Sequence, residues 1–242
     1  AYGVRTTTDN LEGATRADIL VLSVKPQVLD RVLPEVCGEA RTCSLVVSIV
    51  AGAPIKMIAD GLANACVVRV MPNTPARIGQ GISVWTATSE VPEAQREQAR
   101  MLLKAFGEEI FVEDEDYLDM ATALSGTGPA YVFLFMEAMV DAGVHLGFSR
   151  HIAEKLVLQT MRGAVEYAAQ SGDHLAMLRN QVTSPGGTSA EALYQLEKGG
   201  LRTVISRAVW AAYQRSVGLG GGRKVSRLAG RHPDNNHDQD EG

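Results

Sequence analysis

The chain has 242 residues, a formal net charge of −5 at pH 7 and 45% hydrophobic residues. This length suits one large or two small domains, and the composition is that of an ordinary globular protein. The negative charge argues against nucleic acid or an anionic membrane surface as a partner. The longest apolar runs, such as residues 19–24, are too short to span a bilayer, and no signal peptide is visible.

The three cysteines Cys37, Cys43 and Cys66 fit neither a disulfide framework nor a zinc site. An odd number of cysteines without such spacing is typical of a reducing compartment. We therefore expect a cytoplasmic protein with no bound metal.

The first half of the chain alternates short apolar runs with helical patterns. The predicted strands are residues 18–24, 44–50, 65–70, 81–86 and 109–112. The predicted helices between them are residues 26–36, 54–62 and 93–106. Continuous apolar runs are typical of parallel strands that are covered on both faces. This alternation predicts an α/β fold with a doubly wound parallel sheet.

Three of these strands end in turns that are rich in small residues. The turns are Ser23-Val24-Lys25-Pro26, Ile49-Val50-Ala51-Gly52 and Met71-Pro72-Asn73-Thr74-Pro75-Ala76. Ligands of doubly wound sheets bind outside the carboxyl ends of the strands. A single turn of this kind is an ordinary connection, but three in register favour a ligand site.

No Gly-x-Gly-x-x-Gly turn precedes Asp18. A dinucleotide-binding sheet normally opens with a strand, such a turn and a helix that receives the pyrophosphate. Either the sheet binds no dinucleotide, or its first strand, helix and second strand lie upstream. Alanine at position 1 favours the second alternative, so we expect an N-terminally truncated sheet.

The segment Ser125-Gly-Thr-Gly-Pro129 separates this half from a run of predicted helices. Its proline suits the first turn of a helix, its serine and threonine are candidate caps, and its glycines leave the backbone open. A helix N-terminus at this point would offer N–H groups to an anion. The helix that follows, residues 131–144, is apolar nearly all round, which predicts burial in a core or between subunits.

A second glycine-rich segment, Thr183-Ser-Pro-Gly-Gly-Thr-Ser189, precedes another predicted helix. Thr188 and Glu191 have the spacing of a capping box. This pattern fits an anion site or simply a well-capped helix start. We predict three regions in all: a partial dinucleotide-binding domain at residues 1–120, a helical domain at 121–219, and a disordered tail at 220–242.

The sequence shows no convincing set of nucleophile, base and acid. Its histidines lie on or between predicted helices, or in the tail, without a partner at telling spacing. We therefore predict no dedicated catalytic acid or base. The chemistry would be carried by a cofactor that the protein positions.

Four motifs, in order and spacing, resemble those of pyrroline-5-carboxylate reductases. They are Ser23-Val-Lys-Pro26, Met71-Pro-Asn-Thr-Pro-Ala76, Leu124-Ser-Gly-Thr-Gly-Pro-Ala-Tyr131 and Ser184-Pro-Gly-Gly-Thr-Ser189. The resemblance covers about residues 2–217. It implies a Rossmann-type NADP-binding domain followed by an all-helical dimerisation domain. It also implies reduction of 1-pyrroline-5-carboxylate to L-proline by hydride transfer from NADPH, the last step of proline biosynthesis.

The resemblance further implies site residues and partners. NADPH, or alternatively NADH, would contact Asn10, Ser23, Val24, Lys25, Pro26, Ile49, Val50, Ala51, Asn73 and Thr74. The substrate would contact Ser125, Gly126, Thr127, Gly128, Gly186, Gly187, Thr188 and Ser189. The chain would form a homodimer or a higher ring. The sequence departs from the family in lacking the glycine-rich turn and in having Ser189 in place of a second threonine.

Two other functions compete with this interpretation. A β-hydroxyacid dehydrogenase also joins a Rossmann domain to a helical one, but it places a catalytic lysine shortly after its glycine-rich helix entrance. Here residues 129–134 read Pro-Ala-Tyr-Val-Phe-Leu. The other alternative is a non-catalytic, oligomer-forming fragment, which the missing first strand favours. A protonated cyclic imine already carries its proton, so a reductase of this substrate needs no dedicated acid.

Overall fold

The computed structural model describes residues 3–15 and 17–220; the predicted tail, beyond Gly220, lies outside this part. Strands β1 to β5 span Ile19–Leu22, Leu45–Ser48, Val67–Met71, Gly81–Ala87 and Gly107–Phe111. Helices α1 to α10 span Asn10–Ala14, Pro26–Ala40, Ile55–Leu62, Glu93–Lys104, Asp116–Ala121, Gly128–His145, Arg150–Ser171, Leu175–Gln181, Thr188–Lys198 and Leu201–Leu219. A 3-10 helix spans Thr74–Ile78, and a π-helical turn spans Thr122–Gly126.

The strands form one five-stranded sheet in the order β1-β2-β3-β4-β5. Neighbouring strands run parallel except for the pair β3 and β4, which is antiparallel. The predicted α/β fold with a mainly parallel sheet is thus confirmed, except that β4 and β5 both run opposite to β1, β2 and β3. Residues 72–80 join β3 and β4, and this connection is too short for a parallel crossover, which takes a dozen or more residues.

Both faces of the sheet are covered at the central strands β2 and β3, as the apolar runs predicted, whereas Val21 on β1 and Ile110 on β5 are 51% and 49% exposed. Successive side chains of a strand point to opposite faces. Val46 and Val67 accordingly join one core with α2 and α3, whereas Val47 and Val68 join the other core, with Trp85 and residues of α4. Such strands therefore need apolar residues at consecutive positions.

The chain divides into two compact units. The first contains the sheet and runs to Pro129, and it also includes the end of the chain from Val209. In this unit the last turns of α10 pack on the π-helical turn through Ala123, Tyr213 and Val217. Helix α10 therefore belongs in part to the sheet unit rather than wholly to the helical one.

The second unit, Ala130–Ala208, is helical. Its small core joins α6 to α7 through Val140, Ala153 and Val157. Helix α6 is otherwise open, with Phe133 and Leu134 63% and 67% exposed. Burial of this helix, predicted from its apolar surface, is thus not achieved within one chain.

One helical run in the described part, Asp116–His145, has the length and composition that would allow it to cross a membrane. The sequence argument counted only uninterrupted apolar runs, and it missed this helix because two acidic residues, Glu137 and Asp141, divide it. Length and composition are shared by helices that are buried between subunits.

A buried arginine connects the sheet to three helices of the first unit. Arg69, on β3, is 4% exposed. Its guanidinium lies 2.6 Å from Glu115 Oε1 and 3.8 Å from Asp119 Oδ1. The same Glu115 oxygen accepts the backbone N–H of Ile55 at 2.8 Å, at the start of α3. Asp119 Oδ1 accepts the hydroxyl of Ser216, on α10, at 2.7 Å.

Replacing Arg69 with methionine would leave two carboxylates facing each other without their cation. We expect Arg69→Met to lower the free energy of unfolding of the sheet unit by about 3–5 kcal/mol, the usual cost of breaking a buried ion pair. Urea-induced unfolding measures this change. The control is Lys56→Met, which breaks the exposed Lys56–Asp60 pair and should cost less than about 1 kcal/mol. Equal effects of the two substitutions would contradict this role of Arg69.

Candidate functional site

The turns after β1 and β2 lie side by side at the carboxyl edge of the sheet. The N–H of Ile49 donates to the carbonyl of Leu22 at 3.0 Å and so joins the two turns. Helix α2 starts directly at Pro26, and Lys25 precedes it with a side chain that makes no capping bond. This arrangement brings together seven of the cofactor contacts predicted from the sequence: Ser23, Val24, Lys25, Pro26, Ile49, Val50 and Ala51.

The turn after β2 is shaped by residues that the sequence analysis did not select. The hydroxyl of Ser48, which is fully buried, accepts the N–H of Val50 at 3.3 Å. Gly52 has φ +70°, and a Cβ there would lie 2.7 Å from the Cβ of Leu219. The end of α10 therefore sits directly against this turn. Ser48, a polar residue between Val47 and Ile49 in the predicted strand, was a usable signal, but nothing in the sequence pointed to Leu219.

The start of α3, which follows this turn, is held from outside the helix. Its N-cap residue, Pro54, has no side chain that can accept a hydrogen bond. The carboxylate of Glu115 takes that place by accepting the N–H of Ile55. A carboxylate at a helix N-terminus is favoured by the helix dipole. The ion-pair network around Arg69 thus also fixes the far side of the turn.

The turn after β3 makes contact with the π-helical turn. The side-chain oxygen of Asn73 accepts the N–H of Ile82 at 3.0 Å, and its side-chain nitrogen donates to the carbonyl of Ser125 at 3.3 Å. The end of the Met71 side chain occupies the space in which a Cβ of Gly126 would lie. The predicted contacts Asn73 and Thr74 therefore adjoin the segment from Ser125 to Gly128.

The helix start predicted at this segment is confirmed, because α6 begins at Gly128 with Pro129 in its first turn, but a π-helical turn runs directly into it. The backbone stays helical from α5 through the π-helical turn into α6. The hydroxyl and the N–H of Thr127 both donate to the carbonyl of Thr122 at 2.8 Å, and the hydroxyl of Ser125 donates to the carbonyl of Ala121. Both hydroxyls thus donate to preceding carbonyls, and Thr127 ends the π-helical turn rather than capping the start of α6. π-helical turns are rare and frequently lie at functional sites, and a Cβ at Gly128 would still meet open space.

Asn10 is not brought to this edge. Its side-chain amide donates to Glu35 Oε2 at 2.7 Å. Glu35 lies nine residues after Pro26, which is roughly 14 Å along the axis of α2 at the usual helical rise. Asn10 therefore stands apart from the other predicted cofactor contacts.

The second glycine-rich segment lies in the helical unit and starts α9. Its N-cap is Gly187, and Thr188 is already helical and makes no capping bond, so the predicted capping box is wrong. The N–H of Ala190 makes the first bond of the helix, to the carbonyl of Gly187 at 3.1 Å. The N–H groups of Thr188 and Ser189 precede it and have no carbonyl one turn back. This start can hold an anion.

No cluster of three or more metal-ligating side chains occurs in the described part of the chain. Cys37, Cys43 and Cys66 are free thiols. Burial raises the pKa of the Cys43 thiol above its ordinary value, which makes that thiol unreactive. At the sheet edge and at the start of α9, the groups that can meet a ligand are therefore backbone N–H groups, hydroxyls and the exposed ammonium of Lys25.

Two family models match the chain. One is described as pyrroline-5-carboxylate reductase dimerisation and matches residues 115–219. The other is described as NADP oxidoreductase, coenzyme F420-dependent, and matches residues 1–52. The first match covers the helices from α5 to α10, and the second covers β1, β2 and their turns.

Curated relatives match nearly the whole chain. The pyrroline-5-carboxylate reductase of Synechocystis is 44% identical over 219 residues, which are 90% of this chain and 81% of the relative. That of Pseudomonas aeruginosa is 42% identical over 90% of this chain and 80% of its own.

Solved structures give the same family. The pyrroline carboxylate reductase of Plasmodium falciparum with NADP bound has a TM-score of 0.83 and 33% identity, over 91% of this chain and 86% of its own. The pyrroline-5-carboxylate reductase of Coxiella burnetii has a TM-score of 0.81 and 39% identity, over 90% of this chain and 81% of its own.

Contact between α10 and the β2 turn can be tested with a pair of glycines. Gly52 and Gly79 have φ values of +70° and +71°, but only a Cβ at Gly52 meets other atoms within 4 Å. Alanine at either position carries the left-handed backbone strain of about 1–2 kcal/mol. We expect Gly52→Ala to cost at least about 1 kcal/mol more than Gly79→Ala, because only Gly52→Ala also displaces Leu219. Urea unfolding of both variants checks this, and equal costs would refute the contact.

Proposed function

This chain belongs to the pyrroline-5-carboxylate reductase family, and on that premise we propose that it reduces 1-pyrroline-5-carboxylate to L-proline. NADPH is the proposed reductant, and the reaction is the last step of proline biosynthesis. The observation that carries the proposal is similarity to these reductases along nearly the whole chain, and the four motifs of the sequence agree with it. The likeness to a structure with NADP bound supports the choice of cofactor.

The carboxyl edge of the sheet fits a nicotinamide dinucleotide. Its turns expose backbone rather than bulky side chains, and Gly128 leaves open space beside them. The residues that would hold the cofactor are Ser23, Val24, Lys25, Pro26, Ile49, Val50, Ala51, Thr74 and the backbone of Asn73. Bound NADPH supplies the hydride. Asn10 is left out of this set because its side-chain amide donates a hydrogen bond to Glu35, away from the turns.

The start of α9 would bind the carboxylate of the substrate. The N–H groups of Thr188 and Ser189 lie at the N-terminus of α9, the positive end of its helix dipole, and both residues add a hydroxyl. Gly186 and Gly187 carry no side chain that would block approach. In the sheet unit, Ser125, Gly126, Thr127 and Gly128 are proposed as further substrate contacts.

The chemistry requires placement rather than acid catalysis from the chain. The protonated ring nitrogen of the imine already carries the positive charge that the hydride neutralises. The protein has to hold the carboxylate and orient the ring. Proximity and orientation alone can supply several kcal/mol of barrier reduction.

The proposal is tested by following NADPH oxidation with 1-pyrroline-5-carboxylate. The assay uses this chain and a form preceded by a strand, a Gly-x-Gly-x-x-Ala turn, a helix and a second strand, because the motif that binds pyrophosphate is absent before Asp18. We expect substrate-dependent oxidation with L-proline as product in at least one form. If neither form is active, the chain is a non-catalytic member of its family.

Gly187→Val, in the active form, tests the carboxylate site. The valine side chain would crowd the backbone at the start of α9, where even a Cβ lies 3.1 Å from the carbonyl oxygen of Ser184. We expect the KM for 1-pyrroline-5-carboxylate to rise about tenfold, with NADPH affinity unchanged. Gly38→Val is the control, since a Cβ there meets nothing within 4 Å. An unchanged KM would show that this segment only starts a helix and does not bind the carboxylate of the substrate.

We also propose a homodimer, in the cytoplasm, built through the helices that the dimerisation model matches. Val132, Phe133, Leu134 and Phe135 are between 39% and 67% exposed in the single chain. Contiguous exposed apolar surface of this kind marks a protein–protein interface. A second copy of the chain, possessing the same surface, would bury it around a two-fold axis.

A charge within this surface should break the dimer. We expect light scattering to give a dimer or larger assembly at micromolar concentration for the unchanged chain, and a loss of assembly for Phe135→Asp. The control is Met101→Asp, at a 64% exposed apolar residue of α4 that lies outside the matched region. A stable monomer of the unchanged chain, or assembly that survives Phe135→Asp, would refute the proposed interface.

A further inference from the structure

One side chain connects three segments at the carboxyl edge of the sheet. Asn73 lies between the end of β3 and the 3-10 helix, where it is the N-cap without making a capping bond. Its side-chain oxygen instead accepts the N–H of Ile82, in β4, and its side-chain nitrogen donates to the carbonyl of Ser125, in the π-helical turn. Both bonds are partly buried. The amide thus fixes the π-helical turn to the sheet.

The π-helical turn needs such a connection. Its own hydrogen bonds run within the helix, from Ser125 to Ala121 and from Thr127 to Thr122. They set its winding but not its position relative to the sheet. The Met71 side chain packs on Gly126, and that contact is apolar and adaptable. Asn73 provides the directional contact between this turn and the β3 turn.

We propose that Asn73 is a positioning residue for hydride transfer. It acts through the backbone of the segment from Ser125 to Gly128, which it holds at a fixed distance from the β3 turn. The inference rests on the proposed reductase function, in which this segment contacts the substrate and the neighbouring turns hold NADPH. A shift of the segment would misalign donor and acceptor, and such misplacement lowers the rate without removing either binding site.

Asparagine is required because the two bonds have opposite polarity. Aspartate at position 73 has nearly the same shape and can still accept the N–H of Ile82. It has no donor for Ser125, and its charge would face the carbonyl oxygen of that residue. Asn73→Asp therefore breaks the connection to the π-helical turn and keeps the connection to β4.

The chain offers a matched control at Asn64. This asparagine is 7% exposed, donates to the carbonyls of Ala40 and Cys43, and accepts the N–H of Cys66. It precedes β3 and so lies at the opposite end of that strand from Asn73. Asn64→Asp removes the same kind of bond in the same unit, away from the proposed site.

The test measures both variants in the catalytically active form. For Asn73→Asp we expect kcat to fall roughly 10- to 100-fold, while the KM for NADPH changes by less than about threefold. Hydrogen–deuterium exchange of residues 122–128, without any ligand, should speed up by about tenfold. Asn64→Asp should lower the stability of the fold, because it loses buried donors to Ala40 and Cys43, but it should keep kcat and the exchange rate of this segment.

The outcomes separate this inference from the proposed function. If the unchanged chain shows no activity in either form, the proposed reductase function is refuted. Hydrogen–deuterium exchange of residues 122–128 in Asn73→Asp then still tests whether Asn73 holds the π-helical turn to the sheet. If the unchanged chain is active and Asn73→Asp keeps its kcat, the positioning role is refuted. A large rise in the KM for NADPH with unchanged exchange would also refute it, because Asn73 would then bind the cofactor directly.

Discussion

The sheet unit depends on a single buried cation. Arg69 is held between two carboxylates, and a buried charge is tolerated only when it is paired and its partners are hydrogen-bonded. Each carboxylate therefore needs a second donor, which comes from a different helix: the N–H of Ile55 for Glu115 and the hydroxyl of Ser216 for Asp119. Satisfying one arginine thus fixes α3, α5 and α10 against β3. This requirement explains why the end of α10 returns to the sheet and reaches the Gly52 turn.

The sequence predicted those parts of the fold that follow from local patterns. Consecutive apolar residues such as Val46 and Val47 revealed strands that are covered on both faces, and small-residue turns revealed the carboxyl edge. Tertiary contacts were not predictable in this way. The reversal of strand direction between β3 and β4 follows from the length of one connection. The pairing of Arg69 with residues distant in the chain leaves no periodic signal, and a single charge in a predicted strand does not name its partner.

The two glycine-rich segments show how local rules can compete. Both contain residues that suit a helix start, yet in one the helix continues through a π-helical turn, and in the other Gly187 takes the N-cap that was predicted for Thr188. Glycine adopts the extended N-cap backbone with a penalty only a few tenths of a kcal/mol greater than that of a capping side chain. Helix start signals therefore locate these segments correctly, but they do not fix the residue at which the helix begins or the groups that remain available to a ligand.

The proposed chemistry explains why so few side chains carry a recognisable signature. A positively charged imine with a negatively charged carboxylate can be bound by the N–H groups of a helix start, and it needs no acid from the protein. Catalysis then depends on how accurately two segments of backbone are held. Backbone placement is set by residues such as Asn73, Glu115 and Ser48, whose hydrogen bonds are made to main-chain atoms. In such an enzyme, the residues most important for rate are those that position the main chain.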